Sequence, residues 1–187
     1  MPVNDRKLGH FSRCPPEAAA ARHDSGPMAP RPSEIASSIP SDDPPANTPS
    51  NPRIPADWRR ELAAHAAEAA PAECCGLILR DAVRRCRNAL PSDRSGGAYE
   101  LAPADAIYVA EHASDGRILA IYHSHPEGPA NWSADDERAA WFAGAPLYPQ
   151  IDRWIIGRGT GASLEVACYQ FQGRRWRRAW RAAIQAG

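Results

Sequence analysis

The stretch Ile121-Tyr-His-Ser-His-Pro-Glu-Gly-Pro-Ala-Asn-Trp-Ser-Ala-Asp-Asp136 carries more information than any other part of the chain. It opens on the end of an apolar run, residues 117–122, that reads as a buried strand. His123 and His125 lie two apart at that strand end, so both imidazoles project from the same face. Two neutral imidazole nitrogens so arranged can hold one zinc ion at about 2.0–2.1 Å. Pro126 ends the strand because it has no N–H to give to a ladder. Ser133 then sits at the N-cap position of a helix predicted over 133–143. Asp136, three residues on, falls in its first turn, aimed back toward the strand end. A Ser-x-x-Asp is first of all a helix-start signature. Here the carboxylate can support the helix start and still offer an oxygen as a third ligand. Two histidines and one carboxylate leave the fourth tetrahedral position open, as in catalytic rather than structural zinc sites.

Working outward, residues 55–70 are rich in strong helix formers. Pro55 suits the first turn, Trp58, Leu62 and Ala66 share one face, and Pro71 stops the helix. Glu73-Cys-Cys-Gly-Leu-Ile-Leu79 is an apolar run of strand length, with 82–90 as its hairpin partner and 91–97 as a loop rich in turn residues. A second helix is predicted over 103–113, and strands over 151–156 and 163–171. Residues 174–184 fit either a last strand or a terminal helix, since Trp176, Trp180 and Ile184 also have helical spacing. The pattern predicts an α/β domain over 53–187 built on a mixed sheet.

Residues 1–52 differ in character. They hold eleven of the chain's 19 prolines and few bulky apolar side chains, too little to offset the entropy of ordering, so they read as a disordered Pro-rich tail. The whole chain of 187 residues has room for one ordinary core and such a tail. Its 22 basic and 22 acidic residues give no net charge, which argues against a role in collecting nucleic-acid phosphates. No segment approaches the roughly 18 apolar residues of a membrane span, and no secretory leader is visible. Five cysteines, an odd number, then read as reduced thiols in a cytoplasm. Cys74 and Cys75 fall on opposite faces of one strand, so they cannot share a metal.

With these residues in view the sequence resembles a known family. His123-Ser-His-Pro126, seven residues from His125 to Ser133, and then Asp136 are similar to the HxHx₇SxxD signature of the JAMM/MPN+ (JAB-type) zinc metalloproteases. Glu73, opening Glu-Cys-Cys-Gly-Leu, stands where that family carries an upstream glutamate. The resemblance covers about residues 55–172 and is closest to bacterial and phage versions. It implies a single mixed-sheet α-β-α sandwich of the kind shared with cytidine deaminases. It implies that His123, His125 and Asp136 bind one zinc, that Glu73 is the general base and that Ser133 donates to the developing oxyanion. The implied reaction is hydrolysis of a peptide or isopeptide bond after the C-terminal glycine of a ubiquitin-like or sulfur-carrier protein with a Gly-Gly tail. A phage-tail-assembly peptidase and a non-catalytic MPN scaffold that binds protein partners are the alternatives. A cytidine-deaminase site is excluded, since the Pro-Cys-x-x-Cys that it needs occurs nowhere in the chain.

One basic run remains, Gly173-Arg-Arg-Trp-Arg-Arg-Ala-Trp-Arg181, with five arginines and no acid. Arginine beside tryptophan suits stacking on bases. A single short patch on a neutral chain whose only lysine is Lys7 reads better as a solvated edge strand or terminal helix.

Overall fold

The computed structural model describes residues 54–90 and 98–184. The tail predicted over 1–52 and the loop predicted over 91–97 lie outside the described residues. The first helix, α1 (Ala56–Ala69), is followed by β1 (Cys75–Leu79) and β2 (Val83–Cys86), which pair as a hairpin. Then come α2 (Pro103–His112), β3 (Ile118–Ser124), α3 (Ala134–Ala139) and a miniature hairpin of β4 (Trp141–Phe142) and β5 (Ala145–Pro146). Three longer strands complete the domain: β6 (Asp152–Arg158), β7 (Leu164–Gln172) and β8 (Arg175–Ile184). The main sheet has six strands in the order β2-β1-β3-β6-β7-β8. Only β3 and β6 run parallel; β1–β2, β1–β3, β6–β7 and β7–β8 are antiparallel. This is the mixed-sheet α/β architecture expected from the pattern of elements.

Alternation along the strands divides the side chains between two faces. Ile78, Ala120, Tyr122, Trp154, Ile156, Val166, Cys168 and Ile184 form one apolar cluster with Leu62, Ala63 and Ala66 of α1. The opposite face carries two clusters. Cys75, Leu77, Ile118 and Ile121 pack with Val109 of α2, and Ile155, Ala167, Tyr169 and Trp176 pack with Ala130 and Ala140. Helices therefore lie on both faces of the sheet. Cys74 and Cys75 enter different clusters, on opposite faces as their adjacency requires.

Two expectations need adjustment. The helix predicted over 133–143 stops at Ala139. Ala143 and Gly144 follow with φ of 49° and 79°, the double left-handed geometry of a tight two-residue hairpin turn, and this folds Phe142 back onto Ala145. Residues 174–184, open between strand and helix, form the edge strand β8. Arg175, Arg177 and Arg181 on it are exposed while Trp176, Ala182 and Ile184 are buried, which is how a basic edge resists pairing with another chain.

Gly157 on β6 sets how closely the 126–130 loop can approach the sheet. A Cβ built there would fall within the backbone of Pro129 and Ala130. The same loop is tied to β6 by the Arg158 N–H donating to the Gly128 carbonyl at 2.8 Å and by the Arg158 Nε donating to the Pro126 carbonyl at 3.0 Å. Gly157→Ala is expected to destabilise the domain by about 1–3 kcal/mol through this overpacking. The check is a lowered urea midpoint at unchanged m-value.

Candidate metal centre

β3 ends at Ser124, and the pairing continues one step further: the His125 N–H donates to the Ile156 carbonyl at 2.7 Å. Both histidines are therefore held on backbone that the sheet fixes. β1 flanks them on the other side. There the Ser124 N–H donates to the Cys74 carbonyl at 3.0 Å, and the Cys74 N–H donates to the Ser124 hydroxyl at 2.9 Å. Ser124, the residue between the two histidines, is thus a clamp that fixes the start of β1, and with it Glu73, against the strand end.

Helix α3 begins on a full capping box. The Asp136 N–H donates to the Ser133 Oγ at 3.0 Å, and the Ser133 N–H donates to the Asp136 Oδ2 at 2.8 Å. Asp136 Oδ1 lies 2.8 Å from the His123 Nε2, and Oδ2 lies 3.5 Å from the His125 Nε2. The two Nε2 atoms are 3.1 Å apart. One donor atom from each of these three residues lies within 4.8 Å of the others.

The hydrogen bonds decide which electrons point inward. The His125 Nδ1 is 3.1 Å from the Pro129 carbonyl, which can only accept. Neutral His125 therefore carries its proton on Nδ1 and turns a lone pair on Nε2 into the cluster. His123 is buried, and its Nδ1 has no hydrogen-bond partner among the described residues. Its ring is held by stacking on Tyr99, with centroids 4.6 Å apart and planes inclined by 21°. Two imidazole nitrogens and a carboxylate oxygen converging on one point match the donor set that zinc prefers.

Electrostatics follow from burial. Desolvation pushes the His123 pKa down against the pull of Asp136. Burial opposes ionisation of Asp136, but hydrogen bonds to His123, His125 and Ser133 outweigh it and hold the carboxyl well below its usual range. For His125, burial is the largest single influence and lowers the pKa, yet the bonds to Asp136 and Pro129 and the nearby Glu73 together raise it. Glu73 is buried, only 4% exposed. Desolvation is the main cause that lifts its carboxyl to about 7, with His125 acting downward and Asp136 upward.

The residues singled out by spacing therefore come together at one junction of strand end and helix start. A match to the prokaryotic homologues of the JAB domain spans residues 55–181. The chain belongs to that family. A desampylase of Haloferax volcanii is 34% identical over an aligned length of 100 residues, a match that covers 47% of this chain and 72% of that protein. Two solved structures are also similar. A Desulfitobacterium hafniense protein is 27% identical, with a TM-score of 0.43, over 62% of this chain and 82% of its own. A Salinibacter ruber protein is 24% identical, with a TM-score of 0.39, over 68% and 86%.

This JAB domain also contains neighbours that sequence reading did not find. Tyr99 is one; it follows the 91–97 loop and no spacing rule ties it to His123. The Pro129 carbonyl that sets the His125 tautomer is another. Arg153 is the third, and it did leave a signal. Ile151, Arg153 and Ile155 alternate on one strand, so a charge was due on the inner face.

If the cluster is a zinc site, purified wild-type protein should carry about one zinc per chain, and His125→Ala should lose it. Asp136→Ala removes the capping box as well, at a cost of about 1 kcal/mol. Asp136→Asn keeps an oxygen for the Ser133 N–H, so it is expected to fold normally and still lose most of the metal. Elemental analysis beside thermal melting separates the two effects.

Proposed function

We infer that this JAB domain is a zinc metallopeptidase that hydrolyses a peptide or isopeptide bond after the C-terminal glycine of a ubiquitin-like or sulfur-carrier protein. The observation that carries the reading is the convergence of His123, His125 and Asp136 beside the buried Glu73. The likeness to a desampylase supports a ubiquitin-like substrate. The four cysteines among the described residues are free and buried, in keeping with action in a reducing cytoplasm. No helix among the described residues is long and apolar enough to cross a membrane.

His123, His125 and Asp136 would hold the zinc. When bound, it supplies positive charge that polarises a carbonyl and lowers the pKa of a water toward neutrality. Glu73 takes a proton from the attacking water and passes it to the leaving amine as the C–N bond breaks. A carboxyl lifted to about 7 by burial is suited to both halves of that transfer, since general acid–base groups work best near the operating pH. Ser133 accepts the Asp136 N–H at its Oγ, which leaves its own O–H proton free to donate. A developing oxyanion is the acceptor that the reading assigns to it.

Purified protein is tested on ubiquitin-like carriers whose Gly-Gly end is joined to a short extension or to a lysine side chain. Glu73→Gln is expected to lose at least about 10²-fold in kcat with zinc content unchanged. Ser133→Ala is expected to lose about 10²–10³-fold. Zinc-loaded wild type that binds such carriers and cuts none would overturn the peptidase reading in favour of a scaffold.

A further inference from the structure

A cavity of about 490 Å³ opens beside the candidate metal centre. Its wall includes Tyr99, His123 and Asp136, apolar groups such as Val109 and Ile121, and Arg153. Arg153 is buried, 6% exposed. Its Nη2 donates to the Leu147 carbonyl at 2.6 Å, and its guanidinium lies 5.0 Å from the centre of the Trp176 ring. Its buried Nη1 has no hydrogen-bond partner among the described residues. Among the described residues no carboxylate pairs with it. Asp152, its neighbour in sequence, points to the other face, where it accepts from the Gln170 Nε2 at 3.1 Å and from the Cys168 thiol. Burial depresses the Arg153 pKa, as expected of a cation without a counter-charge.

A buried guanidinium with a free donor and no anion is costly unless something else supplies the anion. The chain holds this one with some effort. Tyr148, next to the Leu147 carbonyl and also lining the cavity, has φ of 49°, a conformation that bulky residues seldom adopt. Arg153 pairs in register with Ile121, two residues before His123 on the neighbouring strand. That separation is about 6.6 Å along the sheet, a span of one or two extended residues.

We propose that the cavity between His123 and Arg153 is a subsite for a carboxylate-bearing leaving group. In that arrangement the guanidinium of Arg153 pairs with the free carboxylate of a residue one or two positions beyond the scissile bond, and the apolar wall takes its side chain. This rests on the peptidase reading above and adds a specificity-determining residue to it: Arg153 selects leaving groups that carry a free carboxylate. Nη1 is closed to solvent, so rotation of the guanidinium is part of binding. A monoanion suits the single guanidinium and apolar walls better than a phosphate, which needs more donors.

The first test needs no catalysis. Binding of N-acetyl-L-leucine, N-acetyl-L-leucinamide and inorganic phosphate is followed by tryptophan fluorescence and amide NMR shifts, on the full chain with zinc and after its removal by chelation. The acid is expected to bind about 10–100-fold more tightly than the amide, as for a hydrogen-bonded charge pair, with or without zinc. Arg153→Gln should abolish that preference and Arg153→Lys should keep part of it. Equal binding of acid and amide, or a preference that vanishes with the metal or survives Arg153→Gln, would overturn the subsite. Tighter binding of phosphate with the same Arg153 dependence would overturn the carboxylate assignment. If Arg153→Gln fails to fold, the acid–amide contrast in wild type still decides.

The second test compares kcat/KM for carriers ending Gly-Gly-Leu as the free acid and as the amide. A preference for the acid of about tenfold or more supports the leaving-group role. Equal cleavage removes that role and leaves the peptidase reading standing. No cleavage of either, with acid-selective binding intact, would fault the peptidase reading while supporting the subsite.

Discussion

Oδ2 of Asp136 accepts the Ser133 N–H at 2.8 Å while Oδ1 of the same carboxylate lies 2.8 Å from the His123 Nε2. One side chain thus closes the start of α3 and faces the imidazole at the end of β3. Neither arrangement is stable alone. A six-residue helix is far too short to persist on propensity, and the buried His123 ring, stacked on Tyr99, makes its polar contacts through Nε2 alone among the described residues. Joined through Asp136, the helix start gains a fixed anchor on the sheet and the histidine gains a charged partner. The 126–132 loop is then constrained at both ends, which is why His125 can find the Pro129 carbonyl and keep its Nε2 turned inward.

The sheet's two faces divide the labour. One face is a continuous apolar cluster sealed by α1. The other is split into two apolar clusters, and the polar line of His123 and Arg153 runs between them. Register makes this unavoidable. Cys75 pairs with His123, His123 with Ile155, and Ile121 with Arg153, so these side chains all emerge on that one face. Buried polar groups are affordable there because the sealed face and the strand ladders supply the cohesion.

Much of this was legible in the sequence because local chemistry and the wider pattern agree. Pro71 ends α1, Pro126 ends the β3 run, and Ser133 with Asp136 marks a helix start; each is a single-residue constraint with one structural outcome. The alternation of Cys74 and Cys75 fixed their faces in the same way. What was not legible depends on partners distant in sequence. The early end of α3 follows from Ala143 and Gly144 both taking positive φ, and Ala-Gly is a weak turn signal. The choice of strand for 174–184 comes from pairing with β7, not from its own periodicity, which fits both periods. Tyr99 reaches His123 only through the fold.

Arg153 lies between these cases, and its placement bears on how the site works. Strand alternation alone puts it on the inner face, between the buried Ile151 and Ile155. The fold accommodates a guanidinium with the Leu147 carbonyl and the Trp176 ring and leaves one of its nitrogens without a partner among the described residues. Apolar replacement of buried charges commonly leaves a protein equally or more stable. Stability therefore gives no reason for the charge, and an occupant of the neighbouring cavity does. Glu73 is likewise buried, at the start of β1, and burial lifts its carboxyl toward neutrality. On the proposed reading both face the substrate, Glu73 as the general base and Arg153 as the partner of the leaving group's carboxylate.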